Sequence, residues 1–256
     1  MLRDGSLGLA LLAILGGNAL AAEEPAASPY RPTVSNPAAL SEPGWLELEL
    51  GLQRLHGGEE KRRDGLPFLV KYAFDPNWGI LLGGDLHARA TGHDQSVTSG
   101  YGDTTLTLKH RHALSDDLAL GIEAGFKSPT ANTGLGSGKT DYTLNGIVST
   151  GLGEAQLDLN LGVTRLGLLE ENQGRNAYSW AASLSHPLAE RWTAAVEVSG
   201  AVRRGSRASG QFLAALGYEM NKRVVFYAGF TQGLGNTAAD WGLFAGVTIL
   251  LEKVSK

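Results

Sequence analysis

Residues 133–140 read TGLGSGKT, which is close to the phosphate-binding loop of nucleotide hydrolases. That loop has the pattern G-x-x-x-x-G-K-[ST], in which backbone N–H groups and the lysine hold the phosphates. Gly138, Lys139 and Thr140 fit the pattern, whereas Thr133 stands in place of its first glycine. A phosphate loop must also open a helix, but the residues that follow, TDYTLNGIVST, alternate as a strand does. The sequence therefore predicts a glycine-rich loop and no nucleotide site.

Two other pairs have side chains suited to metal binding or to nucleophilic catalysis. His110 and His112 are two residues apart on a strand-like stretch, so they share one face about 7 Å apart. Two ligands make only half of a zinc site. Ser185 and His186 are adjacent, so on a strand they point to opposite faces and the histidine cannot activate the serine. We therefore predict no catalytic residues, no metal site and no cofactor.

Composition excludes further classes of function. The 256 residues include no cysteine, which excludes disulfides, thiolate metal sites and cysteine nucleophiles. The formal net charge of -4 lacks the basic surplus of nucleic-acid-binding proteins, so no nucleic-acid partner is expected. Glycine occurs 35 times, about twice its ordinary usage, and glycine destabilises helices. The composition therefore disfavours an all-helical fold.

The N-terminal part of the chain is predicted to be a signal peptide followed by an extended segment. Arg3 precedes the apolar run LGLALLAILGG, and Ala19 and Ala21 fit an A-x-A cleavage site that ends a signal peptide at residues 1–21. A retained membrane anchor is the alternative, although the apolar run is short for a membrane span. Residues 22–43 contain five prolines and show no periodicity, so they are predicted to be extended without a fold of their own.

From Trp45 onward the chain alternates apolar and polar residues with the period of a β-strand. In WLELELGLQ the leucines fall on one face and the glutamates on the other. The same alternation predicts about twelve strands, most of about 9–13 residues, which is close to the length that crosses a membrane at a tilt. After the first strand they lie near 66–74, 78–90, 103–112, 117–127, 141–150, 155–166, 177–185, 191–203, 211–219, 223–232 and 240–251.

The connections between these strands alternate between short and long. DPN at 75–77 and GLGE at 151–154 are short, whereas KSPTANTGLGSGKT at 127–140 is long. Up-and-down barrels of the outer membrane have short periplasmic turns and longer extracellular loops. We therefore predict an all-β, up-and-down antiparallel transmembrane β-barrel at 44–251, with a C-terminal tail at 252–256. Its place would be the outer membrane of a Gram-negative bacterium.

In such a barrel the polar strand faces line the lumen and the apolar faces contact lipid. Charges in a lumen need partners, so we expect a narrow pathway lined by paired charges. The residues predicted to line it are Glu47, Glu49, Lys71, Asp85, Arg89, Lys109, Arg111, Glu123, Asp158, Glu197 and Arg203.

Two groups of residues are predicted to contact the lipid. Arg203, Arg204 and Arg207 form a basic cluster at the extracellular end, where guanidinium groups could bind phosphates of outer-leaflet lipid such as lipopolysaccharide. Aromatic residues near strand ends predict the two girdles of a membrane barrel. These residues are Trp78, Tyr142, Tyr178, Trp192 and Trp241.

The stretch YRPTVSNPAALSEPGWLELELGLQR resembles the N-terminal part of the exported proteins grouped as transporters of the phenol meta-degradation pathway. The resemblance continues more loosely through YGDTTLTLKHR and GFKSPTANTGLGSG and covers nearly the whole mature chain. It implies an outer-membrane β-barrel that passes small, often hydrophobic or aromatic compounds. The matching residues are Arg31-Pro32, Ser35 to Pro37, Pro43-Gly44, Glu47 and Glu49.

The residues and the resemblance together predict an outer-membrane channel without enzyme activity. Its expected partners are outer-membrane lipid and lipopolysaccharide, a small-molecule solute and the outer-membrane assembly machinery. Two alternatives stay open. In the first, the paired charges only hold a closed structural barrel in shape and nothing is transported. In the second, the barrel is a lipase that uses Ser185.

Overall fold

The structure is a computed structural model that describes residues 24–235 and 238–254, so the predicted signal peptide lies outside the described residues. Within these ranges, no helix is long and apolar enough to cross a membrane. The strands are β1 (Trp45–His56), β2 (Arg62–Ala73), β3 (Trp78–Thr91), β4 (Val97–Gly100), β5 (Thr104–Ala113), β6 (Leu118–Ser128), β7 (Asp141–Leu152), β8 (Ala155–Arg165), β9 (Asn176–Ala189), β10 (Trp192–Arg203), β11 (Ser209–Asn221), β12 (Val224–Gly233) and β13 (Trp241–Lys253).

The strands form one closed antiparallel barrel. From β5 to β13 each strand pairs with the next, β1 pairs with both β2 and β13, and β2 pairs with β3. The pairing of β3 with β5 closes the ring. Twelve of the thirteen strands make up this ring, which confirms the predicted up-and-down barrel.

The extra strand, β4, is an interrupted extension of β5. Along β3, Gly84 pairs with Thr104 of β5 and Ala88 pairs with Gly100 of β4, so both ladders keep the same register. Between them the chain leaves the ladder at residues 101–103, where the Gly102 N–H donates to the Asp85 carbonyl at 3.0 Å. The sequence predicted one strand that begins near residue 103 and a loop before it. The structure extends that strand towards the loop, because only a short segment breaks the pairing.

The predicted alternation of connections is confirmed. The turns at 153–154, 190–191 and 222–223 have two residues each, and those at 74–77 and 114–117 have four. The opposite end carries all the other connections, of which 92–103 and 129–140 are the longest. We name the two ends of the barrel the turn end and the loop end. TGLGSGKT lies in the 129–140 loop and is followed by β7, so no helix follows it.

The outer surface of the barrel is apolar and its interior is charged. Leu106, Leu144 and Leu161 point outward, with 48%, 49% and 73% of their surface exposed. Lys71 and Lys109, in contrast, are among the largest fully buried side chains. This arrangement is the reverse of that in a soluble barrel and is typical of a barrel whose outer face contacts lipid.

Candidate functional site

The interior contains a cluster of charged side chains from neighbouring strands. The Lys71 ammonium on β2 lies 2.7 Å from a Glu47 carboxylate oxygen and 2.6 Å from one of Glu49, both on β1. The Lys109 ammonium on β5 lies 3.0 Å from the Glu123 carboxylate on β6. Each pair joins adjacent strands, so the alternation of each strand brings opposite charges together in the interior.

Residues 24–43, which we name the luminal segment, run through this interior without forming a helix or strand. The segment enters from the turn end, where the Ala27 N–H donates to the Lys222 carbonyl at 2.7 Å. It returns to the same end, where Pro43 bridges to Ala73 at the close of β2. Val34 lies at the far point of its path and lines a cavity at the loop end. The luminal segment is therefore a hairpin-shaped loop that enters and leaves through one mouth of the barrel.

Barrel carboxylates accept hydrogen bonds from the backbone of the luminal segment. Glu47 accepts from the Ser28 N–H at 3.2 Å, and Glu49 accepts from the Tyr30 N–H at 2.8 Å. Glu197 on β10 accepts from both the N–H and the hydroxyl of Ser35, at 2.8 and 2.9 Å. Because an irregular segment leaves its backbone N–H groups unpaired, these carboxylates supply the acceptors that it needs when buried.

The two buried lysines complete this recognition by donating to carbonyl groups. Lys71 donates to the Ser28 carbonyl, and Lys109 donates to the Pro37 carbonyl at 2.5 Å. Each ammonium group thus binds one carbonyl of the luminal segment in addition to its barrel carboxylates. The lumen holds the segment through charge-assisted hydrogen bonds, which are stronger than bonds between neutral groups.

Tyr30 lies at the centre of the charged cluster, with only 3% of its surface exposed. The Lys71 and Lys109 ammonium groups lie 3.9 and 4.2 Å from the centre of its ring, so both make cation–π contacts. Its hydroxyl donates to the Ala39 carbonyl, across the hairpin. Burial, and then the negative charge of Glu123, raise the pKa of the Tyr30 phenol well above its ordinary value. The phenol therefore stays protonated and remains a donor.

Asn36 fixes the returning half of the luminal segment to the opposite wall. Its side-chain amide donates to Glu123 at 3.0 Å, and its backbone N–H donates to the Asn160 side chain at 3.1 Å. Asn160 in turn donates to the Asn36 carbonyl at 2.9 Å. The Ala38 N–H donates to the Ser149 hydroxyl at 2.7 Å. The segment is therefore bound on both sides of the lumen.

The luminal segment separates two cavities of similar size. The turn-end cavity has a volume of about 520 Å³ and is lined in part by Tyr30, Arg111, Asp158 and Tyr227. The loop-end cavity has a volume of about 510 Å³, and its lining includes Val34 of the luminal segment together with barrel side chains that are mostly amides, hydroxyls and alanines. Each could hold a small organic molecule. A solute could pass from one cavity to the other only if the luminal segment moved or if a gap opened beside it.

The other residues predicted to line the lumen differ in position. Arg111 and Asp158 line the turn-end cavity. Asp85 forms an ion pair with Arg63 at 3.6 Å near the loop end. Arg203 donates to the Gly174 carbonyl at 2.6 Å and to Glu170 at 3.1 Å, so it holds the 166–175 loop and lies away from the central cluster.

Arg89 lies on the outer face, although a strict two-residue period from Asp85 placed it in the lumen. The pairing of β2 with β3 shifts by one residue between Leu66 and Pro67. This irregularity inverts the phase of β3, so that Ala88 and Ala90 are buried while Arg89 is exposed. Alternation alone gives no sign of such a shift.

The structure places the five predicted girdle residues on the outer surface. Trp78 and Trp192 begin their strands at the turn end, and Tyr142, Tyr178 and Trp241 lie within the first residues of theirs at the loop end. Of the basic cluster predicted to contact lipid, Arg203 turns towards the 166–175 loop, whereas Arg204 and Arg207 are exposed in the 204–208 connection.

The two residue pairs considered for metal binding and for nucleophilic catalysis do not have the geometry that these functions need. The His110 ring packs at a tilt against Trp78, with ring centres 4.3 Å apart, and its Nδ1 lies 3.1 Å from the Asn77 carbonyl. Within the described ranges no group of three or more potential metal ligands occurs. Ser185 lines the turn-end cavity, whereas His186 is exposed and its nearest carboxylate, Glu154, is 4.0 Å away. The two residues therefore lie on opposite sides of β9.

Tyr30, Ser35 and Asn36 bind the lumen but were not predicted as site residues. A polar, proline-rich stretch has the same composition whether it lies in solvent or in a polar lumen, because both surroundings satisfy its hydrogen bonds. The sequence did not single out these three residues, because the eleven charges predicted to line the lumen are six acidic and five basic and could have paired among themselves.

Comparisons with solved structures show the same fold. An outer membrane channel from Pseudomonas putida F1 shares 13% sequence identity, with a TM-score of 0.67 over 84% of this chain and 98% of the other. The KdgM porin shares 11% identity, with a TM-score of 0.58 over 80% of this chain and 99% of the other. The CymD monoaromatic hydrocarbon channel shares 7% identity, with a TM-score of 0.50 over 84% of this chain and 90% of the other.

Comparison with sequence families also finds a match. The family model described as "Putative MetA-pathway of phenol degradation" matches residues 38–251. Among curated proteins, none matches this sequence. The match spans every strand of the barrel apart from the last residues of β13, and it confirms the resemblance noted in the sequence.

Proposed function

The chain belongs to the family whose model matches residues 38–251, and on that premise we propose that it is an outer-membrane channel for small, often hydrophobic or aromatic, solutes. The observation that carries this proposal is the luminal segment, a separable piece of chain that lies between the turn-end and loop-end cavities of a closed barrel, with a smaller cavity of about 150 Å³ beside it.

The names of the structural neighbours support a channel but differ in their solutes. One is a monoaromatic hydrocarbon channel, and the KdgM porin has been solved in complex with oligogalacturonate. The lining of the turn-end cavity is mixed: Val225 and Ala195 offer apolar surface, Ser183 offers a hydroxyl, and Arg31 and Arg111 lie beside carboxylates such as Asp158. The proposal of an aromatic solute therefore rests on the family to which the chain belongs.

Uptake into proteoliposomes tests this proposal. We would measure the entry of phenol-sized aromatic compounds and of galacturonate into vesicles that contain the purified protein, beside empty vesicles. Since aromatic compounds also cross lipid unaided, initial rates must be compared at low solute concentration. The expected result is a protein-dependent increase for the aromatic compound. Equal rates with and without protein, for both solutes, would contradict the channel.

A closed structural barrel is the second candidate, because the luminal segment is bound on both sides by buried hydrogen bonds. It would give no conductance steps in a planar bilayer, even at high voltage. A lipase has no such support, since Ser185 and His186 face away from each other. Release of fatty acid that is abolished by Ser185→Ala would favour it.

The proposal includes export and assembly. The signal peptide at 1–21 would direct the chain out of the cytoplasm of a Gram-negative bacterium, and the assembly machinery would insert the barrel into the outer membrane. Its turn end would then face the periplasm and its loop end the cell exterior. Outer-membrane lipid, including lipopolysaccharide, would surround the apolar outer surface.

A further inference from the structure

Three arginines lie on the outer face of β1, β2 and β3 at the loop end. Strand pairing places Arg54, Asp64 and Arg89 side by side in one row across the three strands. The next row towards the loops contains His56, Arg62 and Thr91. Because Arg62 of this second row binds Asp64 of the first, we group it with the first row. We name the set Arg54, Arg62, Asp64 and Arg89 the outer basic row. Its arginines are accessible, with about half of the Arg54 and Arg62 side chains exposed, and Arg89 is exposed as well.

The outer basic row has an excess of positive charge. The Arg54 guanidinium lies 2.6 Å from Asp64, and Arg62 binds the other oxygen of the same carboxylate. For Arg89 no ion pair or side-chain hydrogen bond is found within the described residues. The partners that flank the row are Leu243 beside Arg54 and Ser99 beside Arg89, and neither is acidic. Asp240 lies 3.9 Å from His56 in the next row, but the ion pairs of these arginines are with Asp64, so three guanidinium groups share one paired carboxylate.

The depth of the row corresponds to the level of lipid headgroups. On its membrane side lie Leu52 and Leu86, which point outward and are 66% and 41% exposed. Trp241 stacks on His56 in the row nearest the loops, with ring centres 5.3 Å apart, and aromatic residues mark the membrane interface. An outward arginine is costly at the bilayer midplane and far less costly near the interface. The arginines therefore lie between outward leucines and an aromatic residue, the order of side chains found at a membrane interface.

From this arrangement we propose that the outer basic row binds a phosphate group of an outer-leaflet lipid. Guanidinium groups bind phosphate oxygens in a bidentate manner, and Asp64 holds two of the three arginines in place while leaving the row cationic. Arg89 is the free donor at the edge of the row. Unlike Arg203, which is occupied by Glu170 and Gly174, the arginines of this row project from the lipid-facing surface. The site does not depend on what the lumen passes.

The test measures binding of phosphorylated lipid A to the purified full-length protein in detergent, with dephosphorylated lipid A and inorganic phosphate as further ligands. The double variant Arg54→Gln/Arg89→Gln removes two donors from the row. The matched control, Lys139→Gln/Arg175→Gln, makes the same charge change at exposed positions of two other loops at the loop end. We expect about tenfold weaker binding in the first variant, little change in the control, and weak binding of the dephosphorylated lipid.

Three results would overturn the proposal. The double variant could bind phosphorylated lipid A as the wild type does. Both variants could lose affinity equally, which would show general charge attraction. Inorganic phosphate could compete fully, which would show a free-anion site. If the double variant fails to fold, the single variant Arg89→Gln replaces it, since Arg89 makes no ion pair in the described structure, and a severalfold loss is still expected.

Discussion

At the scale of single residues, Tyr30 joins the luminal segment to the barrel. Its ring contacts both the Lys71 and the Lys109 ammonium groups, and its hydroxyl closes the hairpin onto the Ala39 carbonyl. Both lysines also bind barrel carboxylates. One side chain therefore connects the segment, two cations and, through them, four strands of the wall.

Replacing Tyr30 with alanine should loosen the luminal segment. Cation–π contacts and a buried hydrogen bond together contribute on the order of 1–3 kcal/mol, so the open state should become about tenfold or more populated. Single-channel recording in a planar bilayer measures this as more frequent or longer openings. Val34→Ala is the matched control, because Val34 belongs to the same segment but is more than half exposed. Similar recordings from both variants would argue against an anchoring role for Tyr30.

Replacing Lys71 with methionine should destabilise the barrel itself. The substitution leaves Glu47 and Glu49 without their shared cation in a buried site, and breaking a buried ion pair in this way costs about 3–5 kcal/mol. The temperature at which the folded band disappears from an unboiled gel should fall. Lys61→Met, in the exposed 57–61 loop, is the control and should leave that temperature unchanged. Adding Glu47→Gln and Glu49→Gln to the Lys71 variant should restore part of the loss.

At the scale of elements, the luminal segment is held by its backbone more than by its side chains. Glu47, Glu49 and Glu197 accept from its N–H groups, and Lys71 and Lys109 donate to its carbonyls. The segment is therefore an internal element that takes its hydrogen bonds from side chains of the sheet. Its path, with both ends at the turn end, means that it could leave without breaking any strand pairing.

Deleting residues 27–39 should open the lumen. The two cavities would merge, and the conductance should rise severalfold, because nothing would then separate them. The carboxylates freed by the deletion outnumber the lysines nearby, so the current should be carried mainly by cations. A variant in which the same residues become a Gly-Ser linker of equal length tests whether length alone obstructs the lumen. Unchanged conductance in both variants would show that the segment is not the barrier.

At the scale of the whole molecule, closure of the sheet leaves none of the twelve ring strands at an edge, whereas the short β4 pairs with β3 on one side. The closed ring has no exposed row of unpaired backbone groups, and its strands must be released together. The distribution of side chains is consistent with a closed barrel in a membrane. Charged side chains lie in the interior, and apolar side chains lie on the outer surface that faces lipid.

The closed barrel should resist SDS until it is heated. Outer-membrane fractions extracted in detergent should give a band that moves differently on a gel when the sample is not boiled, and boiling should move the band to the position of the unfolded chain. This property follows from cooperative release of twelve strands and needs no channel activity. A protein that is soluble in the periplasm and shows one band in both conditions would contradict the membrane barrel.

The sequence by itself determined the barrel. Few other folds combine period-two alternation from Trp45 onward with connections of alternating length. Both features can be read from the sequence because each depends on residues that are close together in the chain. It also indicated the inner charges, of which Glu47, Glu49, Lys71, Lys109 and Glu123 form the central cluster.

Only the tertiary structure decided what lies inside the barrel. The partners of Tyr30, Ser35 and Asn36 are brought together from distant parts of the chain, as in the Ser35 hydroxyl that donates to Glu197. The alternation of apolar and polar residues indicates which face of the sheet a side chain lies on. It does not indicate which segment of the chain fills the lumen. The register shift opposite Leu66 and Pro67, which turns Arg89 outward, could not be predicted for a related reason. Strand register is set by the pairing between two strands and not by the pattern within one strand.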